Sequence, residues 1–122
     1  MNFVLVYVTA ANRREARRVG AALLRERLAA CVNLVGPVES QYWWQGKIET
    51  AREWLLLAKT RASLAKPLMA RVKALHSYQT PCIVTLSLTA GNPAFLKWIG
   101  AETRPALRRV SRGCGRRAGR TG

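Results

Sequence analysis

NLVGPVESQYWWQGKIETAREWLLLAKT, running from Asn33 to Thr60, is the stretch whose reading decides the fold of this chain. Two extended runs, residues 38–44 and 47–59, flank the dipeptide Gln45-Gly46. Gly46 supplies the positive φ that a tight hairpin turn requires. Trp43, Trp44 and Trp54 are large, stiff side chains suited to a pleated surface. At about 3.3 Å per residue, the second run forms an arm of about 40 Å. A domain of about 100 residues has a radius of gyration near 13 Å. The arm is therefore expected to overhang its own domain, with an aromatic tip that needs another surface to cover it. The expectation is a symmetric homo-oligomer.

Upstream, residues 2–9 (NFVLVYVT) are a continuous aliphatic and aromatic run, the pattern of a strand buried on both faces. Asn12, with Glu15 three residues on, marks a helix start. Ala16, Val19, Gly20, Leu23, Leu24 and Leu28 then recur at helical spacing, while Arg13, Arg14, Arg17, Arg18 and Arg25 take the other side. Residues 28–35 read as a second strand, broken by Gly36-Pro37 and resuming as the first arm of the hairpin. Downstream, Ser63 is the expected cap of a second helix, with Pro67 tolerated near its start. Leu64, Leu68, Val72 and Leu75 form its buried stripe. Residues 76–81 (HSYQTP) lead to a strand over 82–89, and Gly91-Asn92-Pro93 opens a short helix over 94–100. The order is β-α-β-β-α-β plus a terminal helix, an α+β ferredoxin-like sandwich.

Composition sets limits on function. The chain has 21 Lys and Arg against 6 acids, all Glu, for a net charge of +15. Seven of those arginines and no acid lie in residues 103–122, which leaves +8 to residues 1–102. The domain is expected over 1–102, and 103–122 as a disordered Arg- and Gly-rich tail. Such charge suits nucleic acid or an anionic membrane surface. The tail lacks aromatics for base stacking, so nucleic acid bound there would be held without sequence preference. No run approaches the roughly 18 apolar residues of a membrane span. Residues 1–11 lack the basic region of a signal peptide, and the expected location is the cytoplasm. Cys31, Cys82 and Cys114 form no C-x-x-C pair, which argues against a disulfide scaffold or a zinc ribbon. Cys31 and Cys82 lie in apolar strand-like segments, where thiols act as small buried hydrophobes.

The chain has no Asp, no nucleophile-His-acid set and no Gly-rich phosphate loop, so an enzyme is not expected. His76 is the only histidine, placed at a helix-to-strand junction where an imidazole reaches solvent. It is the best single metal ligand, with Cys82 a soft second donor. One such ligand per chain is weak unless symmetry brings others near. On the hairpin, Lys47 and Glu49 share a face, as do Glu53 and Lys59, since each pair is offset by an even number. These charges read as ion pairs at a subunit boundary. The sharper reading is a pocket between subunits, with Tyr42, Trp44 and Tyr78 as walls and Lys47 and Glu49 orienting a small anion.

LAACVN (28–33), YWWQGKIE (42–49), LLLAKT (55–60), HSYQTP (76–81) and TAGNP (89–93) together resemble the CutA family of divalent-cation tolerance proteins. The resemblance runs over roughly residues 2–102, with the motifs in order. It implies ferredoxin-like subunits in a tight trimer, with long hairpins joining sheets between subunits, and a link to divalent metals, copper above all. The chain departs from the family pattern at several positions. Some bacterial members carry a cysteine where this chain has Val8, and a histidine where it has Leu75. Many have carboxylates or proline where it has Ser77, Gln79 and Cys82. Of the family's copper ligands only His76 remains. The leading expectation is a homotrimeric, non-enzymatic, copper-binding protein of cation tolerance. A trimeric small-ligand sensor or scaffold, and a nucleic-acid module driven by tail charge, are the competing readings.

Overall fold

The aliphatic run near the N-terminus becomes β1 (Phe3–Ala10), the strand from which the sheet is built outward. The computed structural model describes residues 1–105; the tail beyond, with Cys114 and its expected disorder, lies outside those residues. After β1 come α1 (Arg13–Arg25), β2 (Cys31–Trp44), β3 (Lys47–Arg61), α2 (Ala65–Leu75), β4 (Ile83–Leu88) and α3 (Pro93–Glu102). The four strands form one antiparallel sheet in the order β2-β3-β1-β4. This is the ferredoxin-like α+β arrangement anticipated from the element order.

Each helix begins where local chemistry permits. The Asn12 side chain accepts from Glu15 N–H at 2.8 Å, satisfying one orphan donor of α1. Arg27, at φ 58°, turns the chain out of α1, and Leu28 N–H returns to Leu23 O at 2.9 Å. Asn92 caps α3 by accepting from Ala94 N–H at 3.0 Å. The second helix corrects the expectation at Ser63, which caps nothing. Ser63 lies inside a single 3-10 turn (Ala62–Leu64), and α2 starts beyond it without a side-chain cap. Pro67, third in α2, has no N–H and so leaves one fewer donor needing a partner.

The hairpin turn is as read. Trp44 pairs with Lys47 around a two-residue loop in which Gln45 and Gly46 have φ 50° and 81°. Positive φ at both positions matches the twist of the flanking strands. Gly36-Pro37 does not break the second strand; it shifts the register between Val35 and Val38, and β2 runs on as one element. β3 is longer than expected, at 15 residues. Its partner β1 ends at the Ala10–Trp54 pair, so residues 47–53 extend beyond the sheet with only β2 beside them. At about 3.3 Å per residue that overhang is about 23 Å. Trp43 at 73% exposure and Ile48 at 62% sit at its end.

Both α1 and α2 cover the same side of the sheet. There Val4, Val6 and Val8 of β1 and Leu56 and Ala58 of β3 pack against Leu23, Leu68 and Val72. On the other side α3 reaches only the end of the sheet at Phe3 and Arg61, where Arg61 donates to Thr103 Oγ1 and Phe3 is buried; the middle is uncovered among the described residues. Directly paired residues point to one face of an antiparallel sheet, so the rows Leu86–Leu5–Lys59–Cys31 and Val84–Tyr7–Leu57–Asn33 lie on it together. Val84 and Leu86 are about half exposed. On that face Phe3 and Thr9 are buried while Leu5 and Tyr7 are only half-buried, so the expectation of two buried faces holds at the ends of β1 and not in its middle.

Trp54 anchors the base of the hairpin over Gly36. A Cβ on Gly36 would stand 2.5 Å from the indole Cδ2 of Trp54. Gly36→Ala is therefore expected to lower stability by about 1–3 kcal/mol in urea unfolding, with a shift in tryptophan emission, because a rigid ring must move. An unchanged midpoint would contradict this packing.

Candidate functional site

The junction between α2 and β4, residues 76–82, is held at the end of β1 by interlocking hydrogen bonds. Glu15 is at its centre. Although only 4% exposed, its carboxylate is fully engaged: Oε1 accepts from Ala11 N–H at 2.8 Å and Oε2 from Ser77 N–H at 2.7 Å. Arg18 approaches Oε2 at 3.7 Å and donates to Leu75 O at 2.8 Å, closing the C-terminal end of α2. Burial by itself pushes the Glu15 carboxyl up. The hydrogen bonds from Ala11 and Ser77 outweigh it and hold the group below its ordinary range.

His76 is not the solvent-reaching imidazole that its position suggested. Its side chain has no exposure. Nε2 lies 2.6 Å from Thr9 O and Nδ1 3.0 Å from Tyr78 N. A carbonyl only accepts and an amide only donates, so the ring is the neutral Nε2–H tautomer with both nitrogens engaged. The reason is the strand end. Thr9 N–H reaches Cys82 O at 3.4 Å, and the ring takes the Thr9 carbonyl just where β4 begins. His76 closes an edge that the sheet leaves open.

Cys82 departs from expectation too. It is exposed, not buried, because it lies just before β4 and outside the helix-covered core. Cys31 is half-buried on the uncovered sheet face, 3.9 Å from Lys59 Nζ, which bonds Asn33 Oδ1 at 2.7 Å. Among the described residues no group of three or more His, Cys, Asp or Glu is placed to hold a metal. Within one chain, the residues do not fit a copper site: the imidazole has no free lone pair and Cys82 stands alone as a soft donor.

The hairpin residues are brought together on one face. Tyr42 pairs with Glu49 and Trp44 with Lys47, which places all four on the side continuous with the uncovered sheet face. Tyr78 joins them at the hairpin base, where its hydroxyl donates to Glu53 Oε2 at 2.8 Å. Burial, then this bond to a carboxylate, pushes the phenol well above its usual range. Within the chain Glu53 is held by Tyr78 and Lys59 by Asn33, and no salt bridge joins the four hairpin charges among the described residues. Glu15 and Thr9 were missed as members of the junction. Glu15 was legible as a cap residue, but nothing local signals that its second oxygen reaches Ser77.

The fold and this junction define a ferredoxin-like α+β domain whose central hairpin outruns its own sheet. Residues 4–102 match the family described as CutA1 divalent ion tolerance protein. Protein CutA 1, chloroplastic, of Oryza sativa is 44% identical over 101 residues, 83% of this chain but only 57% of that protein. The divalent-cation tolerance protein CutA of Archaeoglobus fulgidus is 45% identical over 94 residues, covering 77% of this chain and 91% of that one. The crystal structure of CutA1 from Oryza sativa superposes with TM-score 0.83 at 42% identity, over 85% of this chain and 95% of the other. That of Thermus thermophilus Cut A1 gives 0.82 at 42%, over 84% and 99%. The chain belongs to the CutA1 divalent ion tolerance family.

A carboxylate held below its ordinary range in the folded state adds stability that is present above its unfolded value and lost as pH falls through the folded one. Glu15→Gln is expected to cost about 1–3 kcal/mol in urea unfolding at neutral pH. The difference from wild type should shrink below about pH 4. A difference constant down to about pH 3 would show that the Glu15 charge is not what holds the junction.

Proposed function

We propose that this protein acts in divalent-cation tolerance as a non-enzymatic homotrimer, and that any copper it carries is bound between copies. The observation that carries the reading is the unfinished surface of the single chain. An uncovered sheet face bearing Leu5, Tyr7, Leu57, Val84 and Leu86 is continuous with a hairpin that extends about 23 Å beyond its sheet. Large contiguous apolar surface on a small domain marks an association site. Closed symmetry removes that surface without leaving an open end for fibres. Family membership supports the link to divalent cations, and the exposed thiol of Cys82 is the donor in best accord with copper. We place the protein in the cytoplasm, where a reducing environment keeps such a thiol free.

A second reading is favoured by a separate observation. Tyr42, Trp44, Lys47 and Glu49 form two cross-strand pairs that no salt bridge engages among the described residues, a wall suited to a small organic anion once a neighbouring copy closes it. No helix among the described residues is long and apolar enough to cross a membrane.

Sedimentation equilibrium at micromolar concentration is expected to give about three times the chain mass of 13.6 kDa. A clean monomer would sink the assembly. In copper(I) titrations, Cys82→Ser is expected to weaken binding at least tenfold with little change in melting. His76→Gln is expected to lower stability by about 1–3 kcal/mol, through the loss of a buried hydrogen-bond partner. Copper binding that survives Cys82→Ser would remove the thiol from the site and favour the organic-anion reading.

A further inference from the structure

The outer side of α1 carries Arg13, Arg14, Arg17, Arg18 and Arg25, all exposed. Only Arg18 has a carboxylate near it, that of Glu15 at 3.7 Å. Among the described residues, Arg13, Arg14, Arg17 and Arg25 form no salt bridge. Arg13, Arg14 and Arg17 line an open depression of about 280 Å³ at the first turn of the helix. This arrangement disfavours the helix in two ways. Cations at an N-terminus oppose the macrodipole, and the like charges of Arg13–Arg17 and Arg14–Arg18 face each other at i,i+4. An anion lying along the face relieves both. One of these guanidiniums is also held in place, since Arg13 Cζ lies 5.8 Å from the ring centroid of Trp54, the side chain wedged over Gly36.

Length and chemistry select the anion. From Arg13 to Arg25 the helix rises about 18 Å, enough to follow about five phosphates of one strand. Guanidinium forks match phosphate oxygens in pairs. A bilayer surface fits less well. A helix lying on a membrane inserts its apolar side, and here that side, Ala16, Val19 and Leu23, is buried against the sheet. Helices α1 and α2 cover the sheet face opposite the open one, so self-association through the open face leaves the arginines facing outward. We propose that the arginine face of α1 binds the phosphate backbone of nucleic acid without reading sequence. The folded domain, and not the basic tail alone, then carries the site.

The test titrates full-length protein against a fluorescein-labelled DNA duplex of about 20 base pairs between about 50 and 200 mM salt. The variant Arg13→Gln/Arg14→Gln/Arg17→Gln is compared with a charge-matched tail variant, Arg116→Gln/Arg117→Gln/Arg120→Gln. The helix variant is expected to bind at least tenfold more weakly at the lowest salt. Its log–log salt slope should be shallower by about 3, close to 1 for each phosphate that is no longer neutralised. The tail variant should weaken distinctly less, and lysines at the three helix positions should restore most of the binding. An unchanged or higher melting temperature for the helix variant shows that the weaker binding is not unfolding. Three outcomes overturn the proposal: full binding by the helix variant, equal weakening in the two charge-matched variants, or arginine-dependent binding to phosphatidylserine vesicles with none to the duplex.

Discussion

The structure depends on β3 being hydrogen-bonded along both edges, to β2 from Lys47 to Lys59 and to β1 from Trp54 to Arg61. That unequal pairing fixes the rest. Where both partners are present, even-numbered residues such as Leu56 and Ala58 meet the helices and odd-numbered ones such as Leu57 and Lys59 face outward. Where β1 ends, β3 continues with β2 alone, and its odd-numbered side carries the uncovered face on through Glu53, Glu49 and Lys47. One strand thus connects the core, the unfinished face and the tip.

The end of β1 is the weak point of such a sheet, because strand edges leave backbone groups without partners. The chain closes it with side chains. His76 takes the Thr9 carbonyl, Glu15 holds Ser77, and Tyr78 returns to Glu53 at the hairpin base. The result ties α1, the α2–β4 junction and β3 into one unit. In doing so it uses both nitrogens of the only imidazole in the chain. A histidine that serves the fold in this way is not available to a metal without opening the junction, and this limits what one chain can bind.

Two surfaces remain open among the described residues, and they differ in kind. The sheet face is apolar and suited to copies of itself, whereas the face of α1 is cationic and suited to a polyanion. They lie on opposite sides of the sheet, so occupying one leaves the other open. Assembly and polyanion binding are compatible in one particle, and several copies would multiply the avidity of the arginine face.

The sequence by itself determined the element order, the two-residue turn at Gln45-Gly46, the apolar stripes of α1 and α2, and the excess length of the hairpin. All follow from local periodicity and backbone preference, which residues close in the chain decide. The tertiary structure decided what depends on contacts between distant segments. It bridged Gly36-Pro37 within one strand, because the indole of Trp54 packs over a residue with no side chain. It buried His76 and exposed Cys82, because one lies against the end of β1 and the other just outside β4. It made Glu15 the centre of the junction through a residue 62 positions away. No periodicity encodes that separation; only the closing of the sheet brings those atoms together.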